Sequence, residues 1–128
     1  MSKGSSTSPE VGALSEAWAE RYLITHGLQP IDRNYRWRGG EIDLIMREGQ
    51  DTLVFVEVRY RARSLITAPE ETVNATKRRK VVTTARHYLA KHPQLHFENA
   101  RFDVIGLSGA LDEPQARWVR DAFRADAW

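Results

Sequence analysis

Apolar residues recur at helical spacing in two segments of the chain. The first helix is predicted from Pro9 to about His26, because Ser8 can cap a helix that begins at a proline. Its apolar stripe is predicted to contain Val11, Leu14, Trp18, Tyr22 and Leu23. The second helix is predicted from Thr76 to about His92, with Val81, Ala85, Tyr88 and Leu89 as its apolar face. Both segments therefore predict amphipathic helices that cover a sheet.

Between and after these helices, apolar and polar residues alternate as they do in strands. Strands are predicted at 28–37 (an edge strand), 41–46, 52–61, 100–107 and 116–119, and residues 62–75 are predicted to form a loop. The turn between the second and third strands reads Glu48-Gly49-Gln50-Asp51. The predicted order α, β, β, β, α, β, β is that of a mixed α/β domain.

Length and composition restrict the classes of protein that are possible. A chain of 128 residues fits one domain, predicted at 9–128 after a Ser-rich tail at 1–8 that we expect to be disordered. It contains neither an apolar run of membrane-spanning length nor the apolar region of a signal peptide. The chain also lacks cysteine, which excludes disulfides and thiolate metal sites, so we expect a cytoplasmic protein with no membrane partner.

The hairpin at 41–61 has a register that can be argued from its apolar positions. Apolar residues occupy even positions in both strands, so burial of both sets on one face requires opposed residue numbers with an even sum. A turn centred near Gln50 then places Asp43 opposite Glu57, Glu41 opposite Arg59, and Ile45 opposite Phe55. Directly opposed side chains in a sheet have Cβ atoms about 4.5–5.5 Å apart.

The predicted pairing of Asp43 with Glu57 brings two carboxylates together. Such a pair is repulsive unless one pKa is raised, a guanidinium lies nearby, or a cation binds between them. Oxygen ligands at this separation suit Mg²⁺ or Mn²⁺. The residues alone leave two interpretations open, which are a solvated polar strand face and a metal site.

Four segments together resemble a known family. They are Gly12, Glu16 and Tyr22-Leu23 in the first helix, Gly-Glu-Ile-Asp-Leu-Ile at 40–45, Val-Phe-Val-Glu-Val-Arg-Tyr-Arg at 54–61, and Arg-Phe-Asp-Val-Ile at 101–105. From Gly12 to about Phe123 the chain resembles the YraN-like family, also called UPF0102. That family resembles the PD-(D/E)xK nucleases and archaeal Holliday-junction resolvases. The resemblance implies a restriction-endonuclease-like mixed sheet flanked by helices.

The resemblance also implies roles for individual residues. The helix acid of such nucleases corresponds to Glu16, the strand aspartate to Asp43, and the acidic-x-Lys unit to Glu57-Val58-Arg59. A Mg²⁺ or Mn²⁺ ion would be held by Asp43, Glu57, Glu16 and the carbonyl of Val58. The catalytic set would be Glu16, Asp43, Glu57 and Arg59, with Arg59 facing the phosphate and oriented by Glu41.

Two positions depart from the nuclease pattern. Ile42 stands where many of these nucleases have proline, and that position varies widely among them. Arg59 stands at the lysine position, and arginine cannot act as a base because its pKa lies above about 12. An arginine can still stabilise a phosphate by paired hydrogen bonds. The chain is therefore either a nuclease that relies on its metal for the base function, or a protein of this fold that no longer cleaves.

Clustered basic residues are candidates for binding nucleic acid. These are Arg61, Arg38, Lys77, Arg78 and Lys80. Cations in the first turn of the second helix oppose the helix dipole, which phosphate binding would explain; a solvated basic turn is the alternative. Tyr35 and Trp37 could stack on a base, although core packing is the commoner use of such residues.

Two further groups carry weaker signals. His87 and His92 are five residues apart, which does not place them on one helix face as a zinc site would require. Asp103 lies in an apolar strand, where a structural hydrogen bond is expected.

Three functions remain open at this point. The first is a metal-dependent endonuclease acting on DNA, including branched or otherwise structured DNA. The second is a non-catalytic nucleic-acid-binding module that keeps the nuclease fold, and the third is a protein-interaction module in DNA metabolism. Because resolvases work as dimers, a homodimer is also compatible with the resemblance.

Overall fold

The computed structural model describes residues 8–63 and 68–125. Within these residues the chain forms two α-helices, one short 3₁₀ helix and five strands. In chain order they are α1 (Pro9–Thr25), β1 (Gln29–Trp37), β2 (Gly40–Glu48), β3 (Thr52–Arg61), the 3₁₀ helix (Pro69–Thr72), α2 (Ala75–Lys91), β4 (Asn99–Ser108) and β5 (Gln115–Phe123). None of the described helices is both long and apolar enough to cross a membrane.

The five strands form one mixed sheet in the order β1-β2-β3-β4-β5. All neighbouring strands are antiparallel except β3 and β4, which are parallel. A parallel pair requires a crossover, and α2 supplies it. The predicted fold class is confirmed: this is a mixed α/β domain of the restriction-endonuclease-like kind.

Each face of the sheet is covered by one helix, and each interface has its own hydrophobic core. The α1-side core contains Ala19, Leu23, Leu28, Leu44, Met46, Val54, Val56, Val58, Ile105 and Leu107. The α2-side core contains Ile42, Ile45, Leu53, Phe55, Val73, Val81, Ala85, Tyr88, Phe102, Val104 and Phe123. Because both faces are covered, polar side chains in the central strands are buried as well.

The predicted apolar stripe of α1 is partly wrong. Leu14 is 58% exposed, whereas the buried side of the helix consists of Gly12, Ser15, Glu16, Ala19 and Leu23. Small residues on this side let the helix approach the sheet closely, which outweighs the burial of a larger leucine. Leu23 is the one member of the predicted stripe that is fully buried, and Trp18 and Tyr22 pack at the margin of the α1-side core.

The predicted element boundaries agree with the structure within a few residues. Ser8 is the N-cap of α1, where its Oγ accepts the Val11 N–H at 3.2 Å. The edge position of β1 is confirmed, and β5 extends beyond the predicted 116–119 to Phe123. The predicted loop at 62–75 contains the 3₁₀ helix, while the disorder predicted for the N-terminal tail concerns residues 1–7, which lie outside the described residues.

Candidate acidic site

The regular alternation of β2 breaks at Asp43. Leu44 and Met46 face the α1-side core, but Ile42, predicted to share their face, lies in the α2-side core. The neighbouring strand bends at the same level, because Asn34, with φ +54°, lies between the residues paired with Leu44 and Ile42. A non-glycine residue with positive φ is uncommon and is often found at functional sites. The two irregularities separate the N-terminal end of β2 from its continuous part.

The predicted hairpin register is confirmed where the two strands pair. Ile45 lies opposite Phe55, and the ladder ends at the pair Leu44–Val56, one step before the predicted pair of Asp43 with Glu57. At that step the Val58 N–H donates to Oδ2 of Asp43 at 2.8 Å. The carbonyl of a strand residue points to the same side as its N–H, so the Val58 carbonyl also lies on the β2 side of β3.

Three carboxylates meet where β2 separates from β3. Glu16 of α1 and Glu41 and Asp43 of β2 each offer an oxygen, and these oxygens lie within 4.8 Å of one another. Asp43 is 0% exposed and Glu16 is 7% exposed. We call these three residues the acidic trio. Glu41 was not predicted as a ligand, although its spacing of two residues from Asp43 is the signal that could have identified it.

Glu57 is buried beside cations rather than inside the acidic trio. Its side chain is 2% exposed, and its Oε2 lies 3.6 Å from the Arg59 guanidinium and 3.4 Å from Nζ of Lys77. Lys77 belongs to the first helical turns of α2, so Glu57 faces the α2 side of the sheet. The interpretation of Asp43 and Glu57 as a solvated strand face is therefore wrong.

Arg59 is held by the segment that precedes α2. Its Nε donates to Thr72 Oγ1 at 2.9 Å and its NH2 group donates to the Thr72 carbonyl at 2.8 Å. The predicted pairing of Arg59 with Glu41 is wrong, because Glu41 lies instead 3.8 Å from Arg36 of the edge strand. The reason is the break at Asp43, which turns Glu41 towards α1 and away from the face that carries Arg59.

The other predicted nucleic-acid-binding residues occupy different environments. Arg38 and Lys80 are exposed, and the Lys80 backbone lies against Gly40, beside the β1–β2 turn that carries Arg38. Arg61 is half-buried and donates to the Tyr60 carbonyl at 2.9 Å. Arg78 donates to the Val73 carbonyl at 2.8 Å and therefore also has a structural role.

The aromatic residues of β1 are used within the domain. Tyr35 OH lies 2.6 Å from Nδ1 of His87, and the Trp37 ring stacks on the His87 ring at 4.3 Å. His92 is likewise engaged, with Nδ1 2.8 Å from the Tyr88 carbonyl oxygen. Tyr35 thus packs against the α2-side core and Trp37 packs on His87 of α2, and both histidines contact neighbouring residues of α2 or β1.

Asp103 forms the structural hydrogen bonds that its position predicted. It accepts from Nε and NH2 of Arg101 at 2.9 and 3.0 Å, from Trp118 Nε1 at 2.9 Å and from the Asp121 N–H at 2.9 Å. Arg101 also contacts Glu48 at 2.6 Å, which holds the pKa of Glu48 below its usual value, aided by Arg120. Although burial alone would lower the pKa of Arg101, the two carboxylates raise it. This network attaches β5 to β4.

The donor set of the acidic trio fits a hard divalent cation. All three side chains offer carboxylate oxygens, which Mg²⁺ and Mn²⁺ prefer. Three carboxylates within 4.8 Å, two of them buried, would also repel strongly if all were ionised. Glu16 and Asp43 would hold the ion, with Glu41 as the added ligand and the Val58 carbonyl on the adjacent strand edge.

Fold and site together define a restriction-endonuclease-like domain with a largely buried acidic cluster between α1 and the start of β2. Sequence comparison gives the family: the profile described as "Uncharacterised protein family UPF0102" matches residues 15–107. Among its relatives are UPF0102 proteins of Aeromonas hydrophila (48% identical, covering 91% of this chain and 87% of the relative) and Methylococcus capsulatus (42%, covering 98% and 99%). The chain therefore belongs to the UPF0102 family, as its motifs indicated.

Proposed function

We propose that this protein is a metal-dependent endonuclease that hydrolyses phosphodiester bonds in DNA, including branched or structured DNA. The proposal rests on the acidic trio, in which Glu16 and Asp43 are buried at the point where β2 and β3 separate. Buried carboxylates this close are costly unless a cation or shared protons neutralise them. A protein that needed only stability would be expected to replace at least one of them with an apolar residue.

The proposed cation ligands and the proposed phosphate-binding group lie on different sides of the sheet. Glu16, Glu41 and Asp43 would hold the cation, and the Val58 N–H fixes the orientation of the Asp43 carboxylate. When bound, a divalent cation lowers the pKa of a neighbouring water molecule and polarises a phosphodiester. Glu57 then has a different task from the one the resemblance implies, because it is ion-paired on the α2 side.

In the nuclease pattern, the lysine of the acidic-x-Lys unit corresponds to Arg59. In this proposal Lys77 takes the role of that lysine. Its Nζ lies 3.4 Å from Glu57, and its side chain is 31% exposed, so it can reach a phosphate at the surface. Arg59 is instead bonded twice to Thr72. In this proposal Glu57 orients Lys77, and Lys77 donates hydrogen bonds to the phosphate oxygens as negative charge accumulates on them.

A cleavage assay tests the proposal directly. Purified protein is incubated with Mg²⁺ or Mn²⁺ and with linear, nicked and four-way-junction DNA. We expect cleavage that falls by about 10²-fold or more in Asp43→Ala, Glu57→Ala and Lys77→Gln, because each removes a positioned charge. Asp112→Ala and Lys91→Gln, which change exposed residues, are the matched controls. Cleavage that survives Asp43→Ala would place the reaction elsewhere.

The non-catalytic alternative is favoured by one observation, which is the engagement of Arg59 with Thr72. A guanidinium used to hold the 3₁₀ helix is a structural element rather than a catalytic one. In that case the protein binds DNA in the presence of either ion without cutting any of the three substrates. Salt-dependent binding with no product over long incubation supports this alternative and excludes the endonuclease.

A further inference from the structure

A second feature lies on the outer side of α2, away from the acidic trio. A groove of about 650 Å³ runs between this helix and the end of β5. Four arginines line it, and no acidic side chain is among its lining residues in the described part of the chain. We call it the arginine groove, with Arg78, Arg79, Arg86 and Arg124 as its cations.

The arginines of the groove are partly engaged with the protein itself, and the Arg79 NH2 group donates to Thr76 Oγ1 at 3.3 Å. The Arg78 guanidinium donates to the Val73 carbonyl and lies 5.4 Å from the centre of the Phe123 ring, so it forms one wall. Arg124 pairs with Asp121 at 2.7 Å at the opposite side. These contacts fix the shape of the groove.

Arg79 and Arg86 are exposed and seven residues apart on the same helix face. Seven residues of α-helix rise by about 10 Å. Adjacent phosphates along one strand of a DNA duplex rise by about 3.4 Å, so the two guanidiniums can reach different phosphates of one strand. Guanidiniums bind phosphate through paired, well-oriented hydrogen bonds.

The lining also indicates which part of a nucleic acid would be bound. Apart from the arginines, Thr83 offers the single hydrogen-bonding side chain among the described lining residues. Reading a base edge needs several placed donors and acceptors, which this lining does not provide. Arginines with one hydroxyl instead suit a repeated anionic backbone.

We infer that the arginine groove binds the phosphodiester backbone of DNA outside the acidic site, without sequence preference. The choice of DNA as the ligand rests on the proposed function. Arg78 directly follows Lys77, whose Nζ lies 3.4 Å from Glu57, so the groove and the candidate site share the first turns of α2. The groove thus holds the flanking DNA while the acidic site addresses one phosphodiester.

Fluorescence anisotropy with a short labelled DNA duplex, in EDTA so that nothing is cleaved, tests this inference. The double variant Arg79→Gln/Arg86→Gln is compared with Arg21→Gln/Arg117→Gln, which removes the same charge from exposed positions on α1 and β5. We expect the groove variant to bind about tenfold more weakly at low salt. Its salt dependence, plotted as log K against log salt, should lose a slope of about 2, because two phosphate contacts disappear. The control should keep nearly the full slope.

Equal slopes for the two double variants would overturn the inference. ADP is the second probe: if it saturates the wild-type groove while duplex binding is insensitive to Arg79→Gln/Arg86→Gln, the site takes a free nucleotide and the DNA assignment is wrong. The proposed endonuclease can be refuted independently of the groove. Asp43→Asn should leave duplex binding in EDTA undiminished. A groove variant that binds the duplex more weakly but still binds Mn²⁺ shows an effect of the groove and not of the acidic site.

Discussion

Replacing Asp43 with asparagine should stabilise the metal-free protein, although the residue is completely buried. The substitution removes one negative charge from the acidic trio and retains a carbonyl oxygen that can accept the Val58 N–H. Most substitutions of buried polar residues destabilise a protein. The opposite sign here follows from the repulsion between neighbouring carboxylates.

The magnitude follows from Coulomb's law. At a separation of 4.8 Å, and with an effective dielectric constant near 20, two ionised carboxylates repel by about 3.5 kcal/mol. Burial of the new side-chain NH2 group offsets part of this gain. We therefore expect Asp43→Asn to raise the free energy of unfolding by about 1–3 kcal/mol in EDTA.

Urea denaturation at mildly alkaline pH, with and without Mn²⁺, provides the assay. At about 100 times its dissociation constant, Mn²⁺ should stabilise the wild type by about 2.7 kcal/mol and leave Asp43→Asn almost unchanged. Asp112→Asn, an exposed loop change, should respond to Mn²⁺ as the wild type does. A variant that is less stable than the wild type in EDTA would refute the repulsion argument.

Three further predictions concern the framework around the site. Asp103→Ala should lower the free energy of unfolding by about 3 kcal/mol or more, because it removes a buried carboxylate that accepts two hydrogen bonds from the partly buried Arg101 guanidinium. Guanidinium denaturation measures this loss, and a value below about 1 kcal/mol would contradict the prediction. Glu48→Gln should destabilise the protein at neutral pH, and its difference from the wild type should shrink as the pH falls below about 4.5. Arg101 and Arg120 lower the pKa of Glu48 in the folded state. The ionised Glu48 side chain therefore stabilises the protein at pH values above its pKa in the unfolded state, and this stabilisation disappears as the pH falls through its pKa in the folded state. Urea unfolding at several pH values measures the difference, and a difference that grows in acid would contradict the prediction. Gly40→Ala should cost about 1–3 kcal/mol in a thermal or urea melt, since Gly40 has φ +153° and an added Cβ would lie 2.7 Å from Thr84 Oγ1; an unchanged melt would show that α2 can move away from β2.

The hairpin register is a part of the fold that the sequence was able to predict. The alternation of apolar and polar residues over Leu44–Glu48 and Thr52–Val56 is compatible with few registers. The residue numbers of each observed pair add up to the same value as in the predicted pairs. The capped start of α1 at Ser8 was equally visible, because proline after serine has a specific structural meaning. Such signals depend on neighbouring residues only, so they can be recognised in a single sequence.

The composition of the acidic site was only partly predictable. Asp43 was identified from the hairpin register and the family resemblance, and Glu16 from the resemblance alone. The break in β2 that brings Glu41 to Glu16, and the positive φ of Asn34 at the same level of β1, have no signal in the strand pattern. Likewise, nothing near Arg59 in the sequence indicates that Thr72, thirteen residues later, binds its guanidinium. Contacts of this kind are set by tertiary packing, which a strand pattern does not contain.

The arginine groove shows the same limitation. The sequence places Arg78, Arg79 and Arg86 on one helix, but it does not show that β5 extends to Phe123 and brings Arg124 to the opposite wall. The run of cations at the start of α2 could therefore be interpreted from sequence only as a general basic turn. Only the structure shows that these cations lie in two places, with Lys77 beside Glu57 and the arginines in the groove.

The proposed endonuclease depends on a divalent cation bound by Glu16, Glu41 and Asp43. Anomalous diffraction from a crystal soaked in Mn²⁺ tests it most directly. We expect a peak about 2.0–2.3 Å from oxygens of at least two of these carboxylates, and no such peak in a soaked crystal of Asp43→Asn. A well-ordered acidic trio with no such peak at millimolar Mn²⁺, or a peak bound only by exposed residues elsewhere, would contradict it.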